Sequence, residues 1–294
     1  MEIVRVGIVG LGNMGSAHAE TIAEGKIDGM RLAAVCDIAA PRRDWAHKMF
    51  PADVGIFADY TEMLHSGTID AVIIATPHYL HPVIAIAAFE SGLHVLTEKP
   101  AGVSVSAVRR MNAAAEASGK VFGIMWNQRT TPIFRRAREI VQSGALGQPK
   151  RLVWTITNWY RSQAYYESGG WRATWAGEGG GVLLNQAPHN LDLWQWIFGL
   201  PDRIRAFCTN GKYHNIEVED DATIYAEYKN GATAVFITST GEYPGTNRLE
   251  ISGDRGKLVL ENGKLHFWKL ETPEREACFT EKAGFPHWPM TEEV

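Results

Sequence analysis

The chain has 294 residues, a length that favours two domains over a single core. Apolar residues make up 45% of it and charged residues 21%, a globular composition that excludes the disordered and fibrous classes. The net charge of -4 offers no basic surface, so we expect neither a nucleic-acid partner nor an anionic membrane partner, and a small-molecule ligand remains open.

The chain begins with a β-branched apolar run, residues 3–9, followed by a glycine motif and a helical pattern that ends near Glu24. This order of strand, Gly-x-Gly-x-x-Gly and helix predicts a dinucleotide site. The first glycine permits a tight turn, the second lets a pyrophosphate approach the backbone, and the third allows close packing of the helix. The helix N-terminus adds amide donors and partial positive charge. The candidate loop residues are Gly10, Gly12, Asn13, Met14 and Gly15.

Asp37 ends the second predicted strand, residues 31–37, and follows Gly15 by 22 residues. A carboxylate at this place can bind the ribose hydroxyls of an adenosine and repels a 2′-phosphate, so it favours NAD. Arg42 and Arg43 follow closely and leave NADP open, although a solvated helix start is the simpler role for them. The alternative is a glycine turn beside an unrelated surface acid, and the matching order and spacing argue against it.

Strands and helices continue to alternate up to about residue 125. The further apolar segments are strands over 70–77, 93–100 and 120–126 and glycine-terminated helices over 80–92 and 105–119. Such βαβ units imply right-handed crossovers and a doubly wound parallel sheet. We therefore predict a dinucleotide-binding Rossmann domain over residues 1–125.

Polar residues follow two of these strands, with Thr76 and Pro77 in one loop and Glu98 and Lys99 in the other. Because ligands of parallel sheets bind at the carboxyl ends of the strands, both loops are expected near a cofactor. A lysine in such a cleft could have a lowered pKa and exchange protons with a substrate. A surface ion pair between Glu98 and Lys99 is an equally good interpretation of the sequence alone.

After residue 125 the pattern changes to long strand-like segments behind one predicted helix, residues 131–147. The predicted strands lie over 150–161, 202–210, 222–240, 247–253 and 256–270. Asn-Gly pairs at 230–231 and 262–263 predict hairpins within two of these segments, and residues 254–256 predict another turn. We therefore predict an α+β domain over 126–294 with a large, mostly antiparallel open sheet, and a ligand cleft between the two domains.

Residues 154–175 contain four tryptophans, three tyrosines and two arginines. Aromatic faces against sugar C–H surfaces, with arginine and tyrosine donors to hydroxyls, are suited to a polyol pocket. The candidates for that pocket are Tyr160, Arg161, Tyr165 and Trp175. A core or a subunit interface explains a tryptophan-rich stretch equally well.

Residues 179–196, GGGVLLNQAPHNLDLWQW, combine three glycines and an apolar run with polar side chains. The segment suits a buried helix, and it equally suits an active-site helix whose apolar residues hold His189 in place. Pro188 would clash inside a helix, so the regular helix is predicted to start near it, with Asn185 in the preceding turn. Asp192, one turn beyond His189, either orients the imidazole or faces solvent.

Three further sequence patterns argue against a metal site, against disulfide bonds and against a signal peptide or membrane span. The ten histidines form no metal-binding spacing, so we expect no metal, and His78 and His81 suit loop or capping roles. Cys36, Cys208 and Cys278 are scattered, which predicts reduced, mostly buried thiols. Because the N-terminus lacks signal-peptide features and no stretch is long and apolar enough to span a bilayer, we expect a cytoplasmic protein.

Four stretches together resemble the glucose-fructose oxidoreductase / inositol dehydrogenase (Gfo/Idh/MocA) family: GIVGLGNMG, ATPHYLH, EKP and GGGVLLNQAPHNLD. Their order and approximate separations match, and the likeness covers most of the chain. EKP and the glycine-to-histidine segment are the specific parts, whereas the first motif is generic. The resemblance implies a Rossmann domain followed by an open-sheet α/β domain that acts on sugars, cyclitols or related polyols with NAD(P).

The resemblance also assigns roles by position. Lys99 of the EKP motif matches the catalytic or substrate-orienting amine, and His189 matches a substrate-facing acid/base or hydroxyl-binding group. The implied cofactor set is Gly10, Gly12, Asn13, Met14, Gly15, Asp37, Thr76, Pro77, His81, Glu98, Lys99 and Asn127. The implied substrate set is Lys99, Tyr160, Arg161, Tyr165, Trp175, Asn185 and His189. Asn127, with Gln128 and Arg129, matches the family's domain junction, as cleft residues or as interdomain hydrogen-bonding groups.

Asn185 departs from the pattern, because many relatives have an aspartate four residues before the histidine. An amide cannot take a proton from an alcohol, so Asn185 is expected to bind substrate hydroxyls or the nicotinamide end. Proton transfer then falls to Lys99 and His189. Because variants with asparagine resemble one branch of the family, this change does not indicate an inactive enzyme.

The resemblance therefore predicts an NAD(P)-dependent dehydrogenase or reductase of a sugar, sugar derivative or cyclitol. One alternative is an NAD-retaining glycosidase of the same fold, which cleaves a bond without accumulating NADH. Another is a non-enzymatic NAD-dependent sensor or scaffold, which does not need Lys99 and His189 together. A homodimer or homotetramer paired through the open sheet is expected, and, because relatives continue beyond WPMTEEV, the edge of the second domain is expected to be incomplete at Val294.

Overall fold

The computed structural model describes residues 3–284 and 287–294. The chain divides into two compact units. The first unit comprises Met1–Met125 and Ala176–Gly179, and the second comprises Trp126–Trp175 and Gly180–Val294. Residues 1–2 and 285–286 fall inside the predicted domain ranges 1–125 and 126–294 but lie outside the described residues.

The first unit is built on a six-stranded parallel sheet. Its strands are β1 Val4–Val9, β2 Met30–Cys36, β3 Gly55–Phe57, β4 Ala71–Ile74, β5 His94–Thr97 and β6 Phe122–Ile124. Its helices are α1 Asn13–Ala23, α2 Ala40–Met49, α3 Tyr60–His65, α4 Leu80–Glu90 and α5 Val105–Ser118. The order β3-β2-β1-β4-β5-β6 puts the topological switch point between β1 and β4. The predicted doubly wound Rossmann sheet is confirmed.

Several strands of this sheet are shorter than the apolar runs that predicted them. The predicted strand 93–100 ends at Thr97, because Pro100 has no N–H to donate to a ladder, so Glu98 and Lys99 lie in the loop after β5. Sequence analysis missed α2, β3 and α3. β3 has only three residues, and the two helices beside it are short and mix apolar with polar residues in about equal numbers, so no clear periodic pattern marks them.

The second unit is built on an eight-stranded sheet of order β14-β13-β12-β11-β7-β10-β9-β8. Its strands are β7 Pro149–Ile156, β8 Arg203–Asn210, β9 Glu219–Glu227, β10 Thr233–Ser239, β11 Asn247–Gly253, β12 Gly256–Glu261, β13 Lys264–Leu270 and β14 Met290–Glu293. Its helices are a 3-10 turn Asn127–Thr130, α6 Pro132–Gln142, α7 Gln163–Glu167, α8 Pro188–Phe198 and α9 Glu274–Thr280. Neighbouring strands are antiparallel except β7 and β10, so the predicted mostly antiparallel sheet is confirmed.

The two Asn-Gly hairpins also form as predicted. They join β9 to β10 and β12 to β13. At the second hairpin, Asn262 has φ 52° and Gly263 has φ 73°, which are the paired positive angles of a type I′ turn. The turn between β11 and β12 ends at Gly256, as the Asp-Arg-Gly pattern indicated.

The core of the second unit lies between one sheet face and helices α6 and α8. Trp154 and Phe236 are fully buried at its centre, and the ring of Trp194 stacks on Phe236 at 5.9 Å. Trp154 belongs to the aromatic stretch, so for this residue the core interpretation is correct. Its indole Nε1 donates to Asn247 Oδ1 at 3.1 Å, which satisfies the one polar atom of the buried ring.

The exposure of the cysteines differs from the expectation. Cys36 is buried, but Cys208 and Cys278 are exposed, so the prediction of mostly buried thiols is wrong. Cys208 is exposed because β8 is an edge strand whose residues face solvent along its whole length. Across residues 3–284 and 287–294, we find no helix with the length and apolar character needed to cross a membrane.

Phe236→Ala is expected to lower the free energy of unfolding by about 3–5 kcal/mol, because it leaves a cavity against Trp154 and Trp194. Phe207→Ala is the matched control: this phenylalanine of the same sheet is 73% exposed, so its loss should change stability by less than about 0.5 kcal/mol. Urea unfolding measures both. Equal losses for the two variants would contradict the core described here.

Candidate functional site

The glycine loop of the first unit joins β1 to α1 at the switch point. Gly10 has φ +92°, and its N–H donates to the Cys36 carbonyl at 2.8 Å. A Cβ added at Gly15 would overlap the Gly10 carbonyl oxygen, so only glycine lets the helix approach so closely. A Cβ at Gly12 would instead meet no atom of the described chain within 4 Å, apart from its sequence neighbours. The loop is therefore tight on its protein side and open above Gly12.

Asp37 holds this loop. One carboxylate oxygen accepts from the Leu11 N–H at 2.7 Å and the other from the Ala39 N–H at 2.8 Å. Arg42 donates to the Leu11 carbonyl and to Ser16 Oγ, while Arg43 donates to the Asp37 and Ile38 carbonyls. Both arginines are thus engaged with backbone or hydroxyl oxygens of the protein, which goes beyond the solvated role expected for them.

The loop after β4 is clamped by His81. Its Nδ1 lies 2.7 Å from the Pro100 carbonyl oxygen and its Nε2 lies 2.8 Å from the Thr76 carbonyl oxygen, so one ring joins the loops after β4 and β5. Burial lowers the pKa of His81, and this outweighs the two carbonyls, which favour the protonated ring. Pro77 is exposed at the tip of the loop. Within the described chain, Thr76 Oγ1 is buried without a hydrogen-bond partner.

Glu98 is buried at the end of β5, so the interpretation of a Glu98–Lys99 surface pair is wrong. Its Oε1 accepts from His18 Nε2 of α1 at 2.8 Å, and its Oε2 accepts from the Lys99 backbone N–H at 3.2 Å. Burial raises the pKa of the Glu98 carboxyl, but the His18 hydrogen bond and the charges of His18 and Lys99 outweigh burial, so the pKa is lowered. Glu98 therefore stays ionised and fixes the backbone of Lys99, which is half-buried.

These residues fit a dinucleotide. Gly12 leaves open space at the N-terminus of α1, which no side chain of the described residues caps, so its amides can receive a pyrophosphate. Asn13 and Met14, in the first turn of α1, are exposed beside that space. The carboxylate of Asp37 keeps acceptor capacity for ribose hydroxyls after binding two amides. The unpartnered Thr76 hydroxyl lies at the carboxyl end of the neighbouring strand β4.

In the second unit, a glycine turn precedes α8 and is held by Glu219. The buried Glu219 carboxylate accepts from the Gly181 N–H at 2.9 Å and from the Leu183 N–H at 3.0 Å. Its backbone carbonyl accepts from the Val182 N–H at 2.8 Å. A Cβ at Gly181 would overlap that carbonyl, so the turn packs directly on the start of β9.

The turn carries Asn185, and α8 starts at Pro188, as predicted. His189 lies in the first turn of α8, half-buried, with its imidazole edge-on to the Trp126 indole at 5.7 Å. Asp192 does not face solvent: its buried carboxylate forms a two-point ion pair with Arg129, at 2.7 and 2.5 Å. Asn127, which starts the 3-10 turn containing Arg129, is exposed.

The predicted pocket residues of the aromatic stretch differ in environment. Tyr160 and Trp175 are about half exposed, at 47% and 49%, and the Tyr160 ring contacts the ring of Tyr243. Tyr165 is half-buried, and its hydroxyl accepts from Arg172 Nη1 at 2.9 Å and from Gln186 Nε2 at 3.4 Å. Arg161 is half-buried over the rings of Tyr165 and Trp159. Tyr165 and Arg161 are thus linked to the turn of Asn185, within the second unit.

His18, Glu219 and Asp220 form hydrogen bonds that hold loops in place, and no sequence pattern pointed to them. Asp220 is fully buried and accepts from the backbone N–H groups of residues 212–214 and from His214 Nδ1 at 2.9 Å. The Val-Glu-Asp-Asp run at 218–221 reads as a polar strand start, and only the burial of its first two acids distinguishes them from surface residues. Among residues 3–284 and 287–294, no group of three or more His, Cys, Asp or Glu side chains is arranged to bind a metal ion.

Known proteins match both units. A family model described as the oxidoreductase family, NAD-binding Rossmann fold, matches residues 4–125, and the GFO/IDH/MocA C-terminal domain model matches residues 134–259. The uncharacterized oxidoreductase YrbE of Bacillus subtilis is 27% identical over 266 residues, 88% of this chain and 74% of the relative. Myo-inositol 2-dehydrogenase of Thermotoga maritima is 26% identical over 266 residues, 88% of this chain and 75% of the relative.

Solved structures of similar fold agree with the family match. The WlbA dehydrogenase from Chromobacterium violaceum, in complex with NADH and UDP-GlcNAcA, superposes with a TM-score of 0.85 at 27% identity, covering 95% of this chain and 81% of that chain. GenD2 from gentamicin A biosynthesis, in complex with NAD, superposes with a TM-score of 0.78 at 26% identity, covering 89% and 73%. The chain is thus similar to NAD-bound oxidoreductases over most of its length.

Gly12→Ala and Gly15→Ala separate cofactor binding from folding. At Gly12 the added methyl projects into the space proposed for the pyrophosphate, so NAD affinity should fall at least about tenfold while Tm stays within about 2 °C of the parent. At Gly15 the methyl meets the Gly10 carbonyl, so the Tm should fall as well. Calorimetric titration and thermal unfolding measure both effects. Unchanged NAD affinity in Gly12→Ala would place the pyrophosphate elsewhere.

His81 should make stability pH-dependent. Its pKa is lowered from 6.5 in the folded chain, so below about pH 6.5 the unfolded chain binds the extra proton and the free energy of unfolding falls as the pH decreases. His81→Gln should be less stable at about pH 8, because a carbonyl loses its partner, yet show a shallower loss from about pH 7.5 to 5.5. Urea unfolding at several pH values measures the slope, with exposed His47→Gln as the matched control. If the free energy of unfolding of His81→Gln falls as steeply with decreasing pH as that of the parent, this histidine is not the source of the pH dependence.

Proposed function

Because the chain belongs to the Gfo/Idh/MocA family of NAD-binding oxidoreductases, we propose that it transfers a hydride between NAD and a hydroxyl-bearing carbon of a sugar, sugar derivative or cyclitol. The relative from Thermotoga maritima is named a myo-inositol dehydrogenase, and the WlbA structure contains a nucleotide sugar, UDP-GlcNAcA. Both bear oxidisable ring hydroxyls. They support this substrate class without selecting a member of it.

The observation that carries the proposal is the fixed position of Lys99. A buried, ionised carboxylate on the preceding residue holds its backbone N–H and is itself held by His18 of the helix that starts at the glycine loop. The lysine is thereby tied to the same helix whose N-terminus offers the dinucleotide site. A surface lysine of a purely structural domain does not need a buried carboxylate of this kind.

NAD is the preferred cofactor in this proposal. Asp37 would repel a 2′-phosphate, and the two nearby arginines that could attract one donate to the Leu11, Asp37 and Ile38 carbonyls. Recruiting Arg42 for a phosphate would also remove its bonds to the glycine loop. The same contacts that shape the loop therefore disfavour NADP.

The division of roles follows from side-chain chemistry. NAD, when bound, supplies the hydride acceptor. We assign the hydroxyl proton to Lys99 and His189, since both side chains can donate and accept protons, whereas Asn185 can only form hydrogen bonds. Two buried supports keep these groups in position: Glu98 fixes the lysine backbone, and Glu219 fixes the turn before the histidine. Orientation by such supports contributes to rate without taking part in bond making.

Lys99→Met tests the proton assignment. It should lower kcat with the best substrate of a series of inositols and aldoses by about 10²-fold or more, and leave NAD affinity within about threefold, because the Glu98 bond to the backbone N–H of residue 99 is retained. NADH absorbance and calorimetric titration measure the two quantities. Exposed Lys48→Met is the matched control within the first unit. Full turnover by Lys99→Met would refute the assignment, and bond cleavage without NADH would favour a glycosidase.

A further inference from the structure

Two arginines of the second unit share one tyrosine. The guanidinium carbon of Arg161 lies 5.0 Å from the centre of the Tyr165 ring, and that of Arg172 lies 4.7 Å from it. Arg172 also lies 4.6 Å from the Trp171 ring. The aromatic rings hold both cations by cation–π attraction, so two positive charges contact one tyrosine ring.

Neither guanidinium forms an ion pair with a carboxylate in the part of the chain that is described. Arg161 Nη1 donates to the Tyr160 carbonyl at 2.9 Å, and Arg172 Nη1 donates to the Tyr165 hydroxyl at 2.9 Å, so both partners are neutral oxygens. Arg161 Nε is buried with no hydrogen-bond partner among the described residues. A half-buried, unneutralised pair of cations costs free energy, which an anion would recover.

The carboxylates around the pair are already engaged with other donors. Asp220 accepts from three backbone amides and from His214, whose Nε2 faces the Arg161 carbonyl at 2.8 Å. Glu217 accepts from the Trp175 N–H at 3.2 Å, and Glu167 accepts from Gln163 at 3.2 Å. These three acids are therefore bound to backbone or side-chain donors, and among the described residues none of them forms an ion pair with Arg161 or Arg172.

The arginine pair is connected to the candidate substrate residues. The Tyr165 hydroxyl, which accepts from Arg172, also accepts from Gln186, the residue directly after Asn185. Gln186 Oε1 is buried and has no partner within the described chain. The Arg172 guanidinium donor and one unpartnered amide acceptor thus lie beside the turn that leads to His189.

We infer that Arg161 and Arg172 bind a carboxylate or phosphate group of the substrate, which makes the substrate an acidic sugar or polyol rather than a neutral one. This inference rests on the proposed function and narrows it. Guanidinium groups present planar pairs of N–H donors that match both carboxylate and phosphate oxygens. Tyrosine and tryptophan rings behind them keep the donors in place at low entropic cost.

Matched sugars test the inference. Glucose, galactose and mannose are each compared with their uronic acid and their 6-phosphate, as ligands of the NADH-bound protein in calorimetric titration and as substrates with NAD. We expect at least one acidic member to bind about tenfold or more tightly than its neutral parent, with a preference that weakens as salt is added. A carboxylate source and a phosphate source are distinguished by which acidic member of the matched set binds.

Arg172→Gln and Arg161→Gln should each lower the ratio of acid to neutral kcat/KM, or of the two affinities, by about 10- to 100-fold. Arg172→Lys should restore part of that ratio, because the charge returns without the planar fork. Arg205→Gln, on the exposed edge strand β8, is the control for a general loss of positive charge.

The outcomes separate this inference from the proposed function. Equal affinity of acidic and neutral members in every matched set, or no binding by any acid, overturns the arginine assignment even if neutral polyols are oxidised. A fall of acid and neutral affinities by the same factor in both glutamine variants also overturns it, because the arginines are then structural. Tight acid binding that requires both arginines, without any NADH formation, retains the site and removes the dehydrogenase activity.

Discussion

The hydrogen bond from a backbone N–H to a carboxylate is the interaction on which the candidate site depends. Asp37 accepts from Leu11 in the glycine loop, Glu98 accepts from Lys99, and Glu219 accepts from Gly181 and Leu183. Bonds to an ionised acceptor are about twice as strong as neutral ones, and a buried amide left without a partner is costly. Loops that would otherwise be mobile are therefore fixed before any ligand binds.

Fixing loops in this way has consequences for both units. In the first unit, the acid that favours NAD by repelling a 2′-phosphate also shapes the loop for the pyrophosphate, so cofactor choice and loop geometry depend on one side chain. His81 extends the same principle with an imidazole, whose two nitrogens face the carbonyl oxygens of Thr76 and Pro100 in the loops after β4 and β5. In the second unit, Glu219 and Asp220 accept from backbone amides, and among the described residues neither forms an ion pair with Arg161 or Arg172. The turn is therefore held by carboxylates that do not pair with the two arginines.

The elements that the sequence predicts well are those set by local patterns. The Rossmann alternation, both Asn-Gly hairpins and the helix start at Pro188 follow from periodicity, turn chemistry and the missing N–H of proline. Contacts between distant residues were not predictable. Asp192 is 63 residues from Arg129, and Glu219 is 38 residues from Gly181, so no spacing rule points to either partner. The burial of Glu98 was hidden for the same reason, because its partner His18 lies on another element.

Residue chemistry and geometry also constrain what Asn185 contributes. It lies in a turn whose backbone N–H groups at Gly181 and Leu183 donate to Glu219. The next residue, Gln186, donates to the Tyr165 hydroxyl. A side chain so placed can bind a hydroxyl without exchanging a proton, and for that reason we propose Lys99 and His189, and not Asn185, for the acid–base chemistry.

Transfer of a deuteride from substrate carbon to NAD tests the central claim of hydride transfer most directly. The purified protein is incubated with NAD and the carbon-deuterated form of its best sugar or polyol substrate, and the nicotinamide ring is analysed by mass spectrometry. We predict NADH that carries one deuterium, in equal amount to the ketone formed. Product formation with no deuterium in the nicotinamide ring, or bond cleavage that leaves NAD unreduced after turnover, would contradict it.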